Sequence, residues 1–150
     1  MPEQLATYQK ARLQVVAHRN IQAAVTEALT PFGINTSQWI ILGWLRDNSD
    51  GMRVTGLAEV LQVETPLVTS LVQPLEAKGN VKVSVDTLDK RARVLTLTQA
   101  GTELVVAIEA AVAQPLKLLE KGVRKSSLAS YFTLLQKIID NGNAGGKTGK

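Results

Sequence analysis

The chain contains no cysteine, a single histidine and few aromatic residues, and each shortage excludes a class of chemistry. Without cysteine there can be no disulfide, thiolate nucleophile, thiol redox sensor or cysteine-ligated metal site. The lone histidine, His18, cannot form a histidine-rich metal site within one chain. Aromatic residues make up 4% of the 150 residues, so Leu, Val, Ile and Ala must supply most of the core. We therefore expect neither a metal nor a cofactor.

Long apolar runs are also missing from the chain. No uninterrupted run reaches the ~18 residues of a membrane span, and the N-terminal sequence MPEQLATYQK has no apolar segment of signal-peptide length. We expect a cytoplasmic protein with no membrane partner. The composition is 45% hydrophobic, which is enough for a packed core. A net charge of +4 and a pI of about 9.5 mildly favour a polyanionic partner.

Helical patterns occupy both ends of the chain. Residues 4–29 lack internal proline and glycine and predict one long helix, ended by Thr30-Pro31 and Gly33. Thr98 is expected to cap a helix that runs to about residue 121 and is kinked at Pro115. A last helix starts at Ser126 or Ser127, and residues 141–150 are expected to form a flexible polar tail.

A second helix is predicted at residues 38–46, with N-cap side chains at residues 35–37. Four of its residues are too apolar for a surface helix and predict that it is buried: Trp39, Ile40, Leu42 and Trp44.

The centre of the chain combines two short helices with a hairpin. A short strand at residues 52–54 precedes a helix at 56–62 that Thr55 would cap, and Thr65 and Pro66 would begin the next helix. Gly79 ends that helix in the left-handed conformation. Alternating valines at 81, 83 and 85, a charged turn at 86–91 and a return strand at 94–97 follow.

This order predicts a mainly α fold of the α+β winged-helix type. Residues 34–98 would form a winged helix-turn-helix DNA-binding region, in which the helix enters the major groove and the hairpin, or wing, touches the adjacent backbone or minor groove. Residues 4–33 and 99–140 would form a helical dimerisation region. A winged core of only ~65 residues cannot bury the apolar stripes of both terminal helices, so pairing with a second chain is physically sensible.

The same residues resemble the MarR family of transcriptional regulators. The family's Asp-x-Arg wing motif matches Asp89-Lys90-Arg91, and its Leu-Thr-x-x-Gly junction matches the segment from Leu97 to Gly101. The Leu-Glu-x-x-Gly end of the recognition helix matches the segment from Leu75 to Gly79. The resemblance implies a homodimer that binds a pseudo-palindromic double-stranded DNA operator, acts as a repressor and is released by a small, often aromatic or phenolic, ligand.

The candidate DNA contacts lie on the recognition helix, on the wing and at the start of the preceding helix. Gln73 can pair with adenine, and hydroxyl groups can bond phosphates or bases. By resemblance, Arg91 enters the minor groove and Asp89 braces the wing tip. The full set is Thr55, Pro66, Thr69, Ser70, Gln73, Lys90, Arg91 and Arg93.

The recognition helix departs from the family pattern, because it carries no cation before Lys78 and contains Pro74. Guanine readout by arginine, the commonest specific contact, is not possible from this helix. Either the operator is A·T-rich, or binding is weak, or DNA binding has been lost. The alternative function is therefore a winged-helix dimer that acts through protein contacts, and a third is a protein that only senses a small molecule.

Candidate ligand-binding residues are Arg12, His18, Arg19 and Trp39, because an acidic ligand could lie between a cation and an indole. The ordinary alternative is that His18 is structural and Trp39 is a core residue. No enzyme motif accompanies His18, and GNAGGKTG near the C-terminus lacks the strand and helix of a phosphate loop, so we expect no enzymatic activity.

Overall fold

Six α-helices and three short strands account for most of residues 4–146, which are the residues that the computed structural model describes. In chain order the elements are α1 (Thr7–Leu29), a single 3₁₀ turn (Thr30–Phe32), α2 (Thr36–Asp47), β1 (Met52–Arg53), α3 (Val54–Leu61), α4 (Thr65–Ala77), β2 (Val81–Val85), β3 (Arg93–Leu97), α5 (Gln99–Leu119) and α6 (Lys125–Gly146). The predicted winged-helix order, with long helices at both ends, is confirmed.

The three strands form an antiparallel sheet in the order β1-β3-β2. Leu95 at its centre pairs with Met52 on one side and Val83 on the other, and its side chain is fully buried. The sheet is thus the base of the wing, and β1 ties that base to the start of α3.

Residues up to Leu116 form one compact unit, and the residues beyond it form a second. The first unit has a single aliphatic core, to which every helix from α1 to α5 contributes. Its fully buried large side chains are Leu29, Ile41, Leu42, Leu45, Leu57, Val68, Leu75, Leu95, Val105, Ile108 and Val112. The second unit contains α6, on which none of the described side chains is buried.

Helix α2 buries a different face from the one that its apolar residues predict. Its buried residues are Gln38, Ile41, Leu42 and Leu45, which recur at helical spacing. Trp44 is instead 42% exposed and Ile40 is 39% exposed, while Trp39 is half-buried. The expectation of an entirely buried helix was therefore wrong, because α2 is apolar on two faces and only one of them meets the core.

Two of the predicted helix caps were also wrong. Helix α3 begins at Val54, one residue before Thr55, because Arg53 is still extended by its pairing with Val94. Helix α4 already includes Thr65, and Glu64 occupies its N-cap without a capping side-chain hydrogen bond. The cap predicted within residues 35–37 is present at Asn35: its Oδ1 accepts from Gln38 N at 2.9 Å, and Asn35 N donates to Gln38 Oε1 at 3.0 Å.

The C-terminal segment differs from its predicted form over the residues that are described. Helix α6 continues through Gly146, so residues 141–146 are helical rather than a flexible tail. Asparagine and glycine are weak helix formers, which is why the sequence favours a tail here, but no proline interrupts the segment and no new helix nucleus is needed. Residues 147–150 of the predicted tail lie outside the described residues.

None of the described helices is long and apolar enough to cross a membrane. Within residues 4–146, no group of three or more histidine or acidic side chains is placed to hold a metal ion.

Candidate nucleic-acid interface

Helix α4 presents a polar face because its apolar stripe is held in the core. Val68, Val72 and Leu75 are buried, and Pro66, Thr69, Ser70 and Gln73 are exposed. A short connection turns the chain from α3 into α4, with Gln62 in the left-handed conformation at a φ of 54°. This places two helices in sequence with the second one exposed along one side, as a helix-turn-helix requires.

The hydroxyl groups on this face bond to the helix's own backbone. Thr69 Oγ1 donates to the Thr65 carbonyl at 3.3 Å, and Ser70 Oγ donates to the Pro66 carbonyl at 3.1 Å. The Gln73 side chain is exposed and makes no hydrogen bond within the described residues, so both ends of its amide are free for a base edge. The face carries no charge from Pro66 to Gln73.

A buried glutamine attaches α4 to α2. Gln38 is 7% exposed, and its Nε2 donates to the Leu71 carbonyl at 3.1 Å. Its other polar atoms are used in the cap with Asn35. Sequence reasoning did not identify this role, although a glutamine three residues after an N-cap asparagine is a recognised capping pattern.

The end of α4 is joined directly to the start of α5. Thr98 Oγ1 donates to the Gly79 carbonyl at 2.7 Å and accepts from Gly101 N at 3.0 Å. Thr98 N donates to the Asn80 carbonyl at 3.1 Å. The two sequence motifs that end α4 and begin α5 therefore meet in space at one threonine.

Steric constraints explain why both motifs contain glycine, at positions 79 and 101. Gly79 has a φ of +76°, which side chains rarely adopt. A Cβ at Gly101 would overlap the Asn80 carbonyl oxygen and lie 2.7 Å from Leu97 Cδ1. Only glycine lets the first turn of α5 approach the start of β2 this closely.

The Asp86 carboxylate accepts three hydrogen bonds at the base of the wing tip. Its Oδ1 accepts from Leu88 N at 2.7 Å and from Asp89 N at 3.3 Å, while its Oδ2 accepts from Arg53 Nε at 2.7 Å. Asp89, the predicted brace, accepts one further bond, from Arg91 N at 3.0 Å. The wing tip thus has two carboxylate caps, of which Asp86 is the more connected.

The hydrogen bond from Leu88 N and the bond from the Arg53 side chain hold the pKa of Asp86 below its ordinary value. Its side chain is only 11% exposed, whereas that of Arg53 is 45% exposed. Sequence reasoning missed Asp86, although an aspartate that bonds the amide two residues later is the usual Asx turn.

The cationic side chains of the wing differ in their hydrogen bonds and ion pairs with the rest of the protein. Lys90 and Arg91 are exposed, and their side chains make no ion pair within the described residues. Arg93 reaches the Lys90 carbonyl at 3.5 Å, a weak contact. Arg53 at the base of the wing is paired with Asp86 through its Nε, and its side chain is 45% exposed. Thr55 is exposed in the first turn of α3.

The predicted ligand residues do not form one site in this chain. His18 and Arg19 line an open groove of about 720 Å³ along α1, whose lining does not include Arg12. Trp39 lies in a separate depression of about 260 Å³, the α2 pocket, lined by Trp39, Ile40, Gly43, Trp44, Asp47 and Glu109. The cations and the indole that were expected to share a ligand are thus on different surfaces.

A helix-turn-helix followed by a braced, basic hairpin defines a winged-helix protein. Comparison with known proteins agrees: the MarR family profile matches residues 32–92. The transcriptional activatory protein BadR of Rhodopseudomonas palustris is 37% identical over 78 residues, which are 51% of this chain and 45% of BadR. The chain thus spans less than half the length of that relative.

Solved structures are similar over most of the chain. A cysteine-to-serine mutant of MarR from E. coli, complexed with operator DNA, is 25% identical with a TM-score of 0.75, covering 85% of this chain and 91% of that one. CouR from Rhodococcus jostii RHA1, bound to p-coumaroyl-CoA, is 22% identical with a TM-score of 0.80, covering 90% of this chain and 94% of that one. Residues 32–92 thus match the MarR family, and the chain as a whole has the winged-helix fold of the MarR-family regulators to which it is similar.

Proposed function

We propose that the protein is a homodimeric repressor that binds a pseudo-palindromic operator in double-stranded DNA. The observation that carries the proposal is the wing, on which Lys90 and Arg91 are exposed and unpaired above a tip held by Asp86 and Asp89. A braced tip keeps these cations in place, so less order has to be gained on binding. The similar E. coli protein is itself bound to operator DNA.

The wing and the backbone contacts would supply most of the affinity. Helix α4 offers no cation between Pro66 and Gln73, so its contribution to specificity would come from Gln73, Thr69 and Ser70 at A·T base pairs. Narrow A·T tracts also concentrate the negative potential that attracts Arg91. We therefore expect an A·T-rich operator.

A small aromatic or phenolic effector would release the DNA. The α1 groove, which His18 and Arg19 line, offers two basic side chains to an acidic effector. CouR, which shares the fold, binds p-coumaroyl-CoA. Arg12 and Trp39 would take part only if a second chain or a movement of the helices brought them to this groove.

Selection of bound sequences from random duplex DNA tests the proposal. At low salt we expect enrichment of A·T-rich half-sites with a fixed spacing. Arg91→Ala should weaken binding and lower the slope of log affinity against log salt by about one, because one cation that displaces counterions from the DNA is lost. Lys10→Ala, on α1, removes the same charge from a helix with none of the proposed contacts and should leave binding unchanged.

Absence of any bound DNA at low salt would refute the proposal and favour the second candidate function, a winged-helix dimer that acts through protein contacts. The uncharged face of α4 is the observation that favours this alternative. A reporter gene placed behind the selected operator tests the direction of regulation. Lower expression supports repression, and higher expression, as the name of BadR would indicate for that relative, contradicts it.

A further inference from the structure

The most exposed large apolar side chain of the described residues lies at the tip of the wing. Leu88 is 91% exposed, and the next most exposed side chain of this kind, Leu118 on α5, is 73% exposed. Single exposed leucines are ordinary on protein surfaces, so exposure alone assigns no role to Leu88. Its position is more informative, because the turn between β2 and β3 that carries it also carries the cations Lys90 and Arg91.

Hydrogen bonds close this turn on both sides of Leu88. Asp86 N donates to the Ala92 carbonyl at 3.0 Å, and Ala92 N donates to the Asp89 carbonyl at 2.9 Å. Leu88 N itself donates to Asp86 Oδ1 at 2.7 Å. The backbone on both sides of the leucine is therefore held in place by the protein itself, while the leucine side chain has almost no contact with the rest of the fold.

The charges of the turn place this leucine among unpaired cations. Asp86 and Asp89 use their carboxylate oxygens to accept hydrogen bonds from amides of the turn. Lys90 and Arg91 are exposed and make no ion pair within the described residues. Unpaired cations next to an apolar side chain complement a polyanion with apolar walls. The minor groove of DNA has this chemistry, with phosphates along its edges and sugar and base atoms inside it.

An apolar side chain that enters the minor groove changes the stacking of the bases. Proteins that bind this groove frequently insert leucine or a similar side chain between two base pairs, which partly unstacks that step and bends the duplex. Pyrimidine–purine steps, such as TA and CA, unstack and bend more easily than other steps. A leucine wedge therefore favours duplexes that have such a step at the point of insertion, without any hydrogen bond to a base.

We propose that Leu88 is a specificity-determining residue that inserts into the minor groove as a wedge at a pyrimidine–purine step in each half-site. Arg91 supplies charge that holds the wing in the groove, and Leu88 supplies the apolar contact and the preference for a deformable step. The proposal rests on the DNA binding proposed above. It adds a base-step preference at the wing, which matters because the face of α4 from Pro66 to Gln73 carries no charge.

Binding of variants to the selected operator isolates the apolar contact. Leu88→Ala should weaken binding roughly tenfold, as the loss of about half the burial of a leucine side chain does. It should leave the slope of log affinity against log salt unchanged, because no charge is removed, whereas Arg91→Ala lowers that slope. Leu88→Met keeps a long apolar side chain and should bind within about threefold of the unmodified protein. Leu118→Ala makes the same change outside the proposed contacts and should have no effect.

Base stacking gives a direct measurement of the wedge. Operator duplexes carry 2-aminopurine in place of one adenine at a time, because this base analogue fluoresces more strongly when it is unstacked. With the unmodified protein we expect a rise in fluorescence at one pyrimidine–purine step in each half-site. At concentrations that saturate the duplex, Leu88→Ala should abolish the rise and Leu88→Met should keep it. Replacing that step by the stiffer AA step should weaken binding of the unmodified protein more than that of Leu88→Ala.

These measurements separate a failure of the wedge from a failure of DNA binding. If the unmodified protein binds no DNA at low salt, the proposed function is refuted and the role of Leu88 with it. If the unmodified protein binds the operator and Leu88→Ala binds it equally well, only the role of Leu88 is refuted. A weaker complex of Leu88→Ala, without an unstacked base in the complex of the unmodified protein, also overturns the wedge.

Discussion

Asp86 connects three separate parts of the wing through one carboxylate. Two backbone amides of the turn and the Arg53 side chain from β1 all bond to it. Each of these bonds favours the charged form, and together they keep its pKa below the ordinary value despite partial burial. The charge of Asp86 therefore contributes to the folded state of the wing.

This linkage predicts a pH dependence with a defined sign. The contribution of Asp86 should be complete above the pKa of an unfolded aspartate, about 4, and should be lost as the pH falls through the lowered pKa of the folded state. The difference in unfolding free energy between the unmodified protein and Asp86→Asn should be constant from neutral pH to about pH 5 and shrink below about pH 4. Urea unfolding at a series of pH values measures it.

Asp50→Asn serves as the matched control, because Asp50 lies on the same surface but makes no ion pair within the described residues. It should leave the unfolding free energy close to that of the unmodified protein at neutral pH. A difference for Asp86→Asn that persists unchanged to pH 3 would contradict the role of its charge.

At the scale of elements, the junction of α4, β2 and α5 leaves no room for a side chain at Gly101. Thr98 bonds to Gly79 and Gly101 at once, and the backbone at Asn80 passes directly under Gly101. Such a contact cannot relax by rotating a side chain, because the obstacle is a backbone carbonyl. Any added atom must move the start of α5 away from the end of α4.

Gly101→Ala should therefore destabilise the protein, by about 1–3 kcal/mol or more, as overpacking of a filled site does. Gly142→Ala is the control: this glycine is also helical, but a Cβ there would meet nothing within 4 Å. It should be neutral or stabilise by up to about 1 kcal/mol. Thermal unfolding measures the difference in stability between the two variants. Equal unfolding midpoints would show that the backbone at the junction shifts to accommodate the added methyl group.

The sequence predicted these elements well where a local pattern determines them. Alternating valines specified β2, and a glycine at 79 specified the end of α4. The buried face of α2 could not be predicted in the same way, because Ile40 and Trp44 are as apolar as Ile41 and Leu45. Only contacts with distant residues decide which of two apolar faces is buried.

The same limit applies to the candidate site. Lys90 and Arg91 were located by a short motif, since a hairpin tip is a local feature. The pair formed by Arg53 and Asp86 depends on the register of β1 with β3, which brings together residues far apart in sequence. No local sequence spacing encodes that register. The hydrogen bond from Gln38 to the Leu71 carbonyl could not be predicted either, because it also joins residues far apart in sequence.

At the scale of the whole molecule, apolar side chains remain exposed on both terminal helices. On α6 they are Tyr131, Phe132, Leu134, Leu135, Ile138 and Ile139, and on α1 they include Tyr8, Leu13, Val15 and Val16. Single exposed apolar residues are ordinary, but a continuous stripe of this length indicates a surface that another chain covers. Under the proposed function, a second copy of the chain is that occupant.

The proposed dimer should depend on the exposed apolar side chains of α6. Leu135→Lys combined with Ile139→Lys introduces two charges into that stripe, and we expect sedimentation to change from dimer to monomer. Ser130→Lys with Thr133→Lys adds the same charge to the opposite side of α6, where the turn of 100° per residue places it, and should remain dimeric. A monomeric unmodified protein at micromolar concentration would contradict the proposal.

The bonds at Thr98 also have a practical consequence for engineering. Thr98 lies within hydrogen-bonding distance of both Gly79 and Asn80. The two ends of the hairpin, which comprises residues 81–97, are therefore close together in space. We therefore expect that residues 81–97 can be exchanged as a cassette, provided that the apolar residues at 81, 83, 95 and 97, which pack in or against the core, are kept and that Gly101 is retained. Under the proposed function, a graft from a relative with a different wing would transfer the groove preference of that wing to this scaffold, with the helices left unchanged.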